Sequence, residues 1–109
     1  MAKYLSVYES NSTQYVNLSV DEFRMITILA LDVGVKILLP EGRGYTLTFN
    51  IAGDAAGTKS IREYIQSNIM ELINSSATTT VLQLPKQLPF ILTDGILTAQ
   101  AEIATIEYS

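Results

Sequence analysis

Residues 44–74 read GYTLTFNIAGDAAGTKSIREYIQSNIMELIN, and this stretch decides the fold. In its first part, apolar and polar residues alternate, as they do along a strand with one buried face. The apolar set is Tyr45, Leu47, Phe49 and Ile51, and the polar set is Thr46, Thr48 and Asn50. In its second part, apolar residues recur three or four positions apart, namely Ile61, Tyr64, Ile65, Ile69, Leu72 and Ile73. The pattern predicts a half-buried strand followed by an amphipathic helix over residues 60–74.

The connection between this strand and this helix, GDAAGTKS at 53–60, nearly matches the phosphate-binding loop G-x-x-x-x-G-K-[ST]. Gly53, Lys59 and Ser60 match, but Thr58 occupies the position of the second glycine. A β-branched side chain there would collide with a bound phosphate, and Asp54 adds a charge that repels it. The sequence therefore predicts a turn here and no nucleotide site.

The same connection carries a helix-start signal. Ser60 and Glu63 have the S-x-x-E spacing of a capping box, in which each side chain accepts a hydrogen bond from a backbone N–H at the helix start. Ser60 is therefore predicted to be the N-cap, and its replacement by alanine to cost about 1 kcal/mol.

Strand patterns flank the central stretch on both sides. Before it lie KYLSVY (3–8), QYVNLSV (14–20), RMITILAL (24–31), GVKILL (34–39) and the turn PEGRG (40–44); after it lie TTTVLQL (78–84) and ILTAQAEIATIEY (96–108). Asp94 and Gly95 favour a tight hairpin before the last strand. Together these patterns predict one domain over residues 1–109 of the α+β class. It is expected to be mainly antiparallel β, as a sheet or a small sandwich or barrel, with one amphipathic helix packed across it.

The composition bears on the partners and the chemistry. The net charge is −4 with a pI near 4.6, and Lys and Arg are not clustered, which argues against a nucleic-acid partner. The chain has no His and no Cys, the commonest catalytic base, nucleophile and zinc ligands. The apolar run 25–39 is interrupted by Asp32 and Lys36 and reads as paired strands, not as a membrane span. The N-terminal residues lack the pattern of a secretion signal. We expect a protein that is not an enzyme and has no catalytic residue, cofactor, metal or small-molecule substrate.

Other polar positions have simple structural interpretations. Asp21 and Glu22 are expected in an exposed turn, and Glu63 and Glu71 on the solvated face of the helix. The six tyrosines are expected to fill core and edge positions, with no Lys or Arg beside them. The proline-containing segment QLPKQLPF, 83–90, is predicted to be a connection at a sheet edge.

Three pieces of the chain resemble small structural proteins of tailed bacteriophages, particularly those encoded near the capsid genes of marine and cyanobacterial phages. They are the opening MAKYL, the helix carrying Arg62, Ile65, Ile69 and Leu72, and the strand from Val81 to Pro85. The resemblance implies a virion component, a capsid decoration or cement protein. Its implied partners are the major capsid protein and copies of itself, as a trimer by analogy, and its implied location is the capsid surface.

Two alternatives remain open at this point. One is a tail, neck or minor capsid component, and the other is a small cytoplasmic binding module, for instance a host-directed inhibitor. In any of these roles, long strands at both ends of the chain are expected to offer open edges that could pair with a neighbouring subunit.

Overall fold

A computed structural model describes residues 3–50, 55–74, 81–88 and 101–109. Its elements are β1 (Tyr4–Glu9), β2 (Gln14–Ser19), β3 (Met25–Ile28), β4 (Gly34–Leu38), β5 (Gly44–Phe49), α1 (Ala55–Ile73), β6 (Val81–Gln83) and β7 (Ile103–Tyr108). Two short 3-10 turns, Ala30–Asp32 and Pro40–Gly42, connect β3 to β4 and β4 to β5. One helix packed across a mainly antiparallel sheet confirms the predicted α+β class.

The seven-stranded sheet has the order β2-β1-β7-β5-β4-β3, with β6 paired to β1 off this path. All neighbours are antiparallel except the pairs that β1 makes with β6 and β7. Strand β6 pairs with β1 over Tyr4–Ser6, whereas β7 pairs with β1 only between Ile103 and Glu9. Both parallel partners therefore lie on the same side of β1.

This order corrects one expectation about the terminal strands. Among the described strands, β1 and β7 lie inside the sheet, and β2 and β3 stand at the two ends of the strand order. The first and last strands therefore do not offer open edges. Strand periodicity alone could not show this, because it identifies a buried face and not the neighbours on either side.

The core lies between the helix and one face of the sheet. Buried residues of the helix are spaced as predicted and comprise Ile61, Ile65, Ile69 and Leu72, with Tyr64 and Ile73 partly buried against them. The sheet contributes Leu5, Val7, Leu18, Ile26, Val35, Ile37, Leu47, Phe49 and Ile103. Burial of these aliphatic side chains is the main stabilising contribution, about 1.5–3 kcal/mol for each large one.

The helix start differs from the prediction. Helix α1 begins at Ala55, so Ser60 lies more than one turn inside it and is not the N-cap. The proposed capping box with Glu63 is therefore wrong. Gly57 and Thr58 are both buried, which extends the inward face one turn before the first large apolar residue. The first turn of the helix was missed because residues 55–58 are small and show no apolar periodicity, although alanine is the strongest helix former.

Two glycines allow β4 and β5 to approach closely. A Cβ atom on Gly34 would lie 2.1 Å from the Leu47 carbonyl oxygen, and one on Gly44 would lie 2.2 Å from that of Ile37. Real Cβ atoms do not come this close to a backbone oxygen, so the β4–β5 hairpin requires glycine at both ends.

Several predictions lie outside the described residues, namely Ile51, the Asp94–Gly95 hairpin, the segments 78–80, 89–90 and 96–100, and the first two residues of GDAAGTKS, Gly53 and Asp54. The remaining strand predictions each contain a strand, including the pair β3 and β4 within the apolar run 25–39. The strand predicted over 24–31 is shorter, because β3 ends at Ile28 and Ala30–Asp32 form a 3-10 turn. Helix α1 lacks the combination of length and apolar character that crossing a membrane requires.

Candidate interaction surfaces

The turn between β3 and β4 presents an apolar side chain to solvent. Leu31 is 86% exposed and has φ 61° and ψ 21°, in the left-handed region. The Leu29 N–H donates to the Gly34 carbonyl (2.9 Å) and the Asp32 N–H to the Leu29 carbonyl (3.2 Å), which fixes the turn. Asp32 is also left-handed, with φ 53°. A leucine in this conformation costs about 1–2 kcal/mol, and at this position the side chain buries almost nothing in return.

A second exposed apolar side chain lies at the turn end of edge strand β3. Ile28, the last residue of β3, is 37% exposed. We call Ile28 and Leu31 the hairpin end. Met25 is 52% exposed, but it lies at the other end of β3, paired with Leu38, and on the other face of the strand. Grouped exposed apolar side chains mark interaction sites more often than scattered single residues do.

The backbone of β3 adds unpaired polar groups to the hairpin end. Thr27 and Leu29 direct their N–H and C=O groups toward β4, as the Leu29–Gly34 hydrogen bond and the register show. Because these directions alternate along a strand, Ile26 and Ile28 point theirs away from β4. Among the described residues, no strand pairs with this side of β3. The edge can therefore accept an added strand.

The opposite edge, formed by β2, is partly closed by a side chain. The Ser19 N–H donates to the Tyr45 hydroxyl oxygen at 3.1 Å. The Tyr45 ring also packs against that of Tyr108, with centroids 5.0 Å apart. Since Tyr45 belongs to β5, the sheet must curl enough to bring β5 near the edge of β2. This edge is therefore less open to pairing than the edge of β3.

The junction between β1 and β7 is completed by a carboxylate. Glu9 Oε2 accepts a hydrogen bond from the Ile106 N–H at 2.7 Å, and its Oε1 accepts one from the Ser12 hydroxyl. The β5–β7 register shifts between Thr48 and Phe49, leaving Ala104 as the extra residue of a bulge on β7. The Glu9 side chain thus accepts a hydrogen bond from the Ile106 N–H, which has no backbone partner on β1 because β1 ends at Glu9.

A shallow depression on the β1 side combines polar and aromatic groups. The Lys86 ammonium lies 5.0 Å from the centre of the Tyr8 ring, within cation–π range. Gln87 Nε2 donates to Glu102 Oε2 at 3.4 Å beside it. The expectation that no cation lies beside the tyrosines is therefore wrong for Tyr8, because the fold brings together residues that are far apart in sequence.

The segment around Lys86 is more buried than a simple edge connection. Pro85 is exposed, but Leu84 and Leu88 belong to the core. The Leu84 N–H donates to the Ser6 carbonyl (2.9 Å) and the Leu88 N–H to the Ala101 carbonyl (2.8 Å). The two buried leucines, four positions apart on either side of Pro85 and Lys86, were the only sign of this burial in the sequence of the segment.

The phosphate-loop resemblance has no matching conformation. Residues from Ala55 onward are helical, and Gly57 and Thr58, which would line a phosphate cradle, face the core. Lys59 is exposed on the helix surface. A helix that begins before these residues cannot wrap around a phosphate as the loop does.

The acidic positions singled out in the sequence are exposed and separate. Asp21 and Glu22 lie in a turn, where Asp21 Oδ1 accepts a hydrogen bond from the Lys3 N–H. Glu63 and Glu71 lie on the solvated side of α1. Within residues 3–50, 55–74, 81–88 and 101–109, no three His, Cys, Asp or Glu side chains come together as metal ligands would.

Comparison with protein-family models, curated proteins and solved structures finds no match to this chain. Its function must therefore be inferred from its own surfaces, and the hairpin end combines an 86% exposed leucine with a left-handed backbone.

Proposed function

We propose that this protein is a structural component of a tailed-phage virion, a capsid decoration or cement protein that binds the shell through its hairpin end. The observation that carries the proposal is Leu31, an 86% exposed leucine held in a left-handed conformation. In this role the protein acts without catalysis, at the capsid surface, on the major capsid protein and on copies of itself.

A leucine in this position suits a partner that provides an apolar pocket. Binding energy in protein interfaces is concentrated in a few apolar or aromatic anchors that enter pockets. Backbone strain of this kind persists where the surrounding structure enforces it, and it clusters at functional sites. The hydrogen bonds of Leu29 and Asp32 enforce it here, and so hold the side chain ready for insertion.

The neighbouring edge of β3 provides a second mode of contact. The outward N–H and C=O groups of Ile26 and Ile28 can pair with an extended segment of the capsid protein. An anchor in a pocket beside an added strand gives both affinity and a fixed orientation. A cement protein requires both, because it must bridge shell subunits in one register.

The virion assignment is supported by the resemblance of MAKYL, the α1 pattern and Val81–Pro85 to small phage structural proteins. The exposed leucine at the hairpin end supports the part of the proposal that concerns attachment. The resemblance itself is an analogy, so the test must measure attachment.

The experiment has two parts. Quantitative mass spectrometry of purified particles should find the protein at a copy number comparable with that of the major capsid protein. Particles stripped of it should then rebind the purified protein. The Leu31→Asn variant should bind at least about tenfold more weakly, as expected for loss of an anchor residue.

Met70→Asn is the matched control, since Met70 is an exposed apolar residue, 42% accessible, on the helix and not on the β3–β4 hairpin. It should rebind as the wild type does. Presence in only a few copies per particle would instead assign the protein to the tail, the neck or the minor capsid components. Absence from particles would refute the proposal and leave the cytoplasmic binding module.

A further inference from the structure

The face of the sheet opposite the helix carries mostly polar side chains, and we call it the outer face. On β3, β4, β5 and β7 it consists of the side chains that alternate with the buried ones, namely Met25, Thr27, Lys36, Leu38, Thr46, Thr48, Thr105 and Glu107. Met25 and Glu107 are exposed, and the others are half-buried. A short β-branched side chain, Thr46, lies between the two charged residues.

The strand register places the two charges in one row across the sheet. Thr27 pairs with Lys36, Lys36 with Thr46, and Thr46 with Glu107. Lys36 and Glu107 therefore lie on opposite sides of Thr46, about 10 Å apart at two strand spacings. Neither Lys36 nor Glu107 has an ion-pair partner among the described residues, where Arg43 pairs with Glu41.

We propose that the outer face binds the outer face of a second copy of this chain around a two-fold axis that runs between the sheets along β5. This operation places Lys36 of each copy opposite Glu107 of the other and Thr46 opposite Thr46. A two-fold axis across the strands would place Lys36 over Lys36 and Glu107 over Glu107. The charge pattern thus selects one of the two face-to-face arrangements, and it is self-complementary as an isologous interface requires.

The dimensions of the side chains fit this arrangement. Stacked sheets lie about 10 Å apart, a gap that an extended Lys and a Glu can bridge together. Thr46, Thr48 and Thr105 are short enough to allow the sheets to approach to that distance. Their methyl groups supply apolar contact between the charged pairs.

The size of the face sets the expected strength. Four strands of up to six residues cover roughly 400 Å² per copy, about half of the roughly 800 Å² of a standard interface. We therefore expect a dimer in the micromolar range and in rapid exchange. The self-association included in the proposed function would then have a two-fold element, and this inference rests on that part of it. The test below uses purified protein alone, so a negative result leaves attachment through the hairpin end unaffected.

The experiment is sedimentation equilibrium of the full chain over a range of concentrations. Lys36→Glu and Glu107→Lys each replace two opposite-charge contacts by two like-charge contacts, and each should raise the dissociation constant about tenfold or more. The double reversal Lys36→Glu with Glu107→Lys restores opposite charges and should return the constant to within about threefold of wild type. Circular dichroism establishes that each variant is folded.

Lys59→Glu and Glu63→Lys on the exposed side of α1 change the net charge equally and should leave association unchanged. Wild-type association should also weaken between low and high salt, a measurement that needs no variant. A monomer at all concentrations, a trimer, a dimer indifferent to the single reversals, or a double reversal that fails to restore association would each overturn the proposal.

Discussion

Replacing Leu31 with asparagine should stabilise the free protein while weakening its attachment to a partner. Leu31 has φ 61° and ψ 21°, a conformation that costs a branched aliphatic residue about 1–2 kcal/mol and that asparagine adopts with much less strain. The same substitution removes the apolar anchor. Stability and binding should therefore change in opposite directions at one position.

The magnitude follows from the exposure of the side chain. Full burial of a leucine is worth about 1.5–3 kcal/mol. Leu31 is 86% exposed, so its loss forfeits only about 0.3 kcal/mol of burial. The strain relief exceeds this, and the net gain should be about 1 kcal/mol. For a chain of 109 residues that corresponds to a rise in Tm of about 4 °C.

Calorimetry and urea unfolding would measure the change, with Glu41→Asn as the matched control. Glu41 is also left-handed, with φ 65°, in the β4–β5 turn, and its ion pair with Arg43 is long and exposed. Both variants should gain a similar stability, but only Leu31→Asn should lose binding to stripped particles. If Leu31→Asn destabilised the protein while Glu41→Asn stabilised it, the leucine would have to make contacts that its exposure does not show.

Three further substitutions test the packing of the sheet and the position of the helix start. Gly34→Ala should destabilise the protein by about 3 kcal/mol or more, because the new methyl group would lie 2.1 Å from the Leu47 carbonyl oxygen. Tyr45→Phe removes the hydroxyl that accepts the Ser19 N–H and should cost about 1 kcal/mol. Ser60→Ala, inside the helix, should leave stability unchanged or raise it by a few tenths of a kcal/mol, since alanine is the better helix former. Urea unfolding measures all three.

Each of these three stability predictions has a control substitution or an outcome that would contradict it. Gly42→Ala, at φ 74° with open space around it, should cost only about 1 kcal/mol, so an equal loss at Gly34 would contradict the close approach of β4 and β5. Tyr108→Phe keeps the ring contact and should change stability by less than about 0.5 kcal/mol. A loss of about 1 kcal/mol for Ser60→Ala would show that this serine caps the helix after all.

Much of the fold could be predicted from the local pattern. Alternation in β5 and the three-and-four spacing from Ile61 to Ile73 are direct consequences of one buried face, and the structure has a strand and a helix with these buried faces. The helix start was misplaced because Ala55 to Thr58 are small and show no apolar period. Ser60 and Glu63, at the spacing of a capping box, then indicated a helix start more than one turn after the true start at Ala55.

The candidate surfaces could be predicted much less well. Leu31 reads as one more apolar residue in the run 24–31, and its exposure depends on the left-handed turn that ends β3. The row from Thr27 to Glu107 exists only because β7 pairs with β5, a neighbour set by the sheet order and not by any local pattern. Lys86 lies over Tyr8 for the same reason.

The position of β7 also constrains when the sheet can form during synthesis. The β1–β2 hairpin and the β3–β4–β5 meander each consist of strands that follow one another in the chain, so both can form early. The strand that joins them, β7, is the last of the described strands to be synthesised, and its pair Glu9 and Ile103 spans almost the whole chain. Until the ribosome has passed Tyr108, β5 lacks its β7 partner and the Glu9 end of β1 lacks its pair with Ile103. Completion of the sheet is thus a late, long-range step, and the strand edges exposed before it can pair with neighbouring chains.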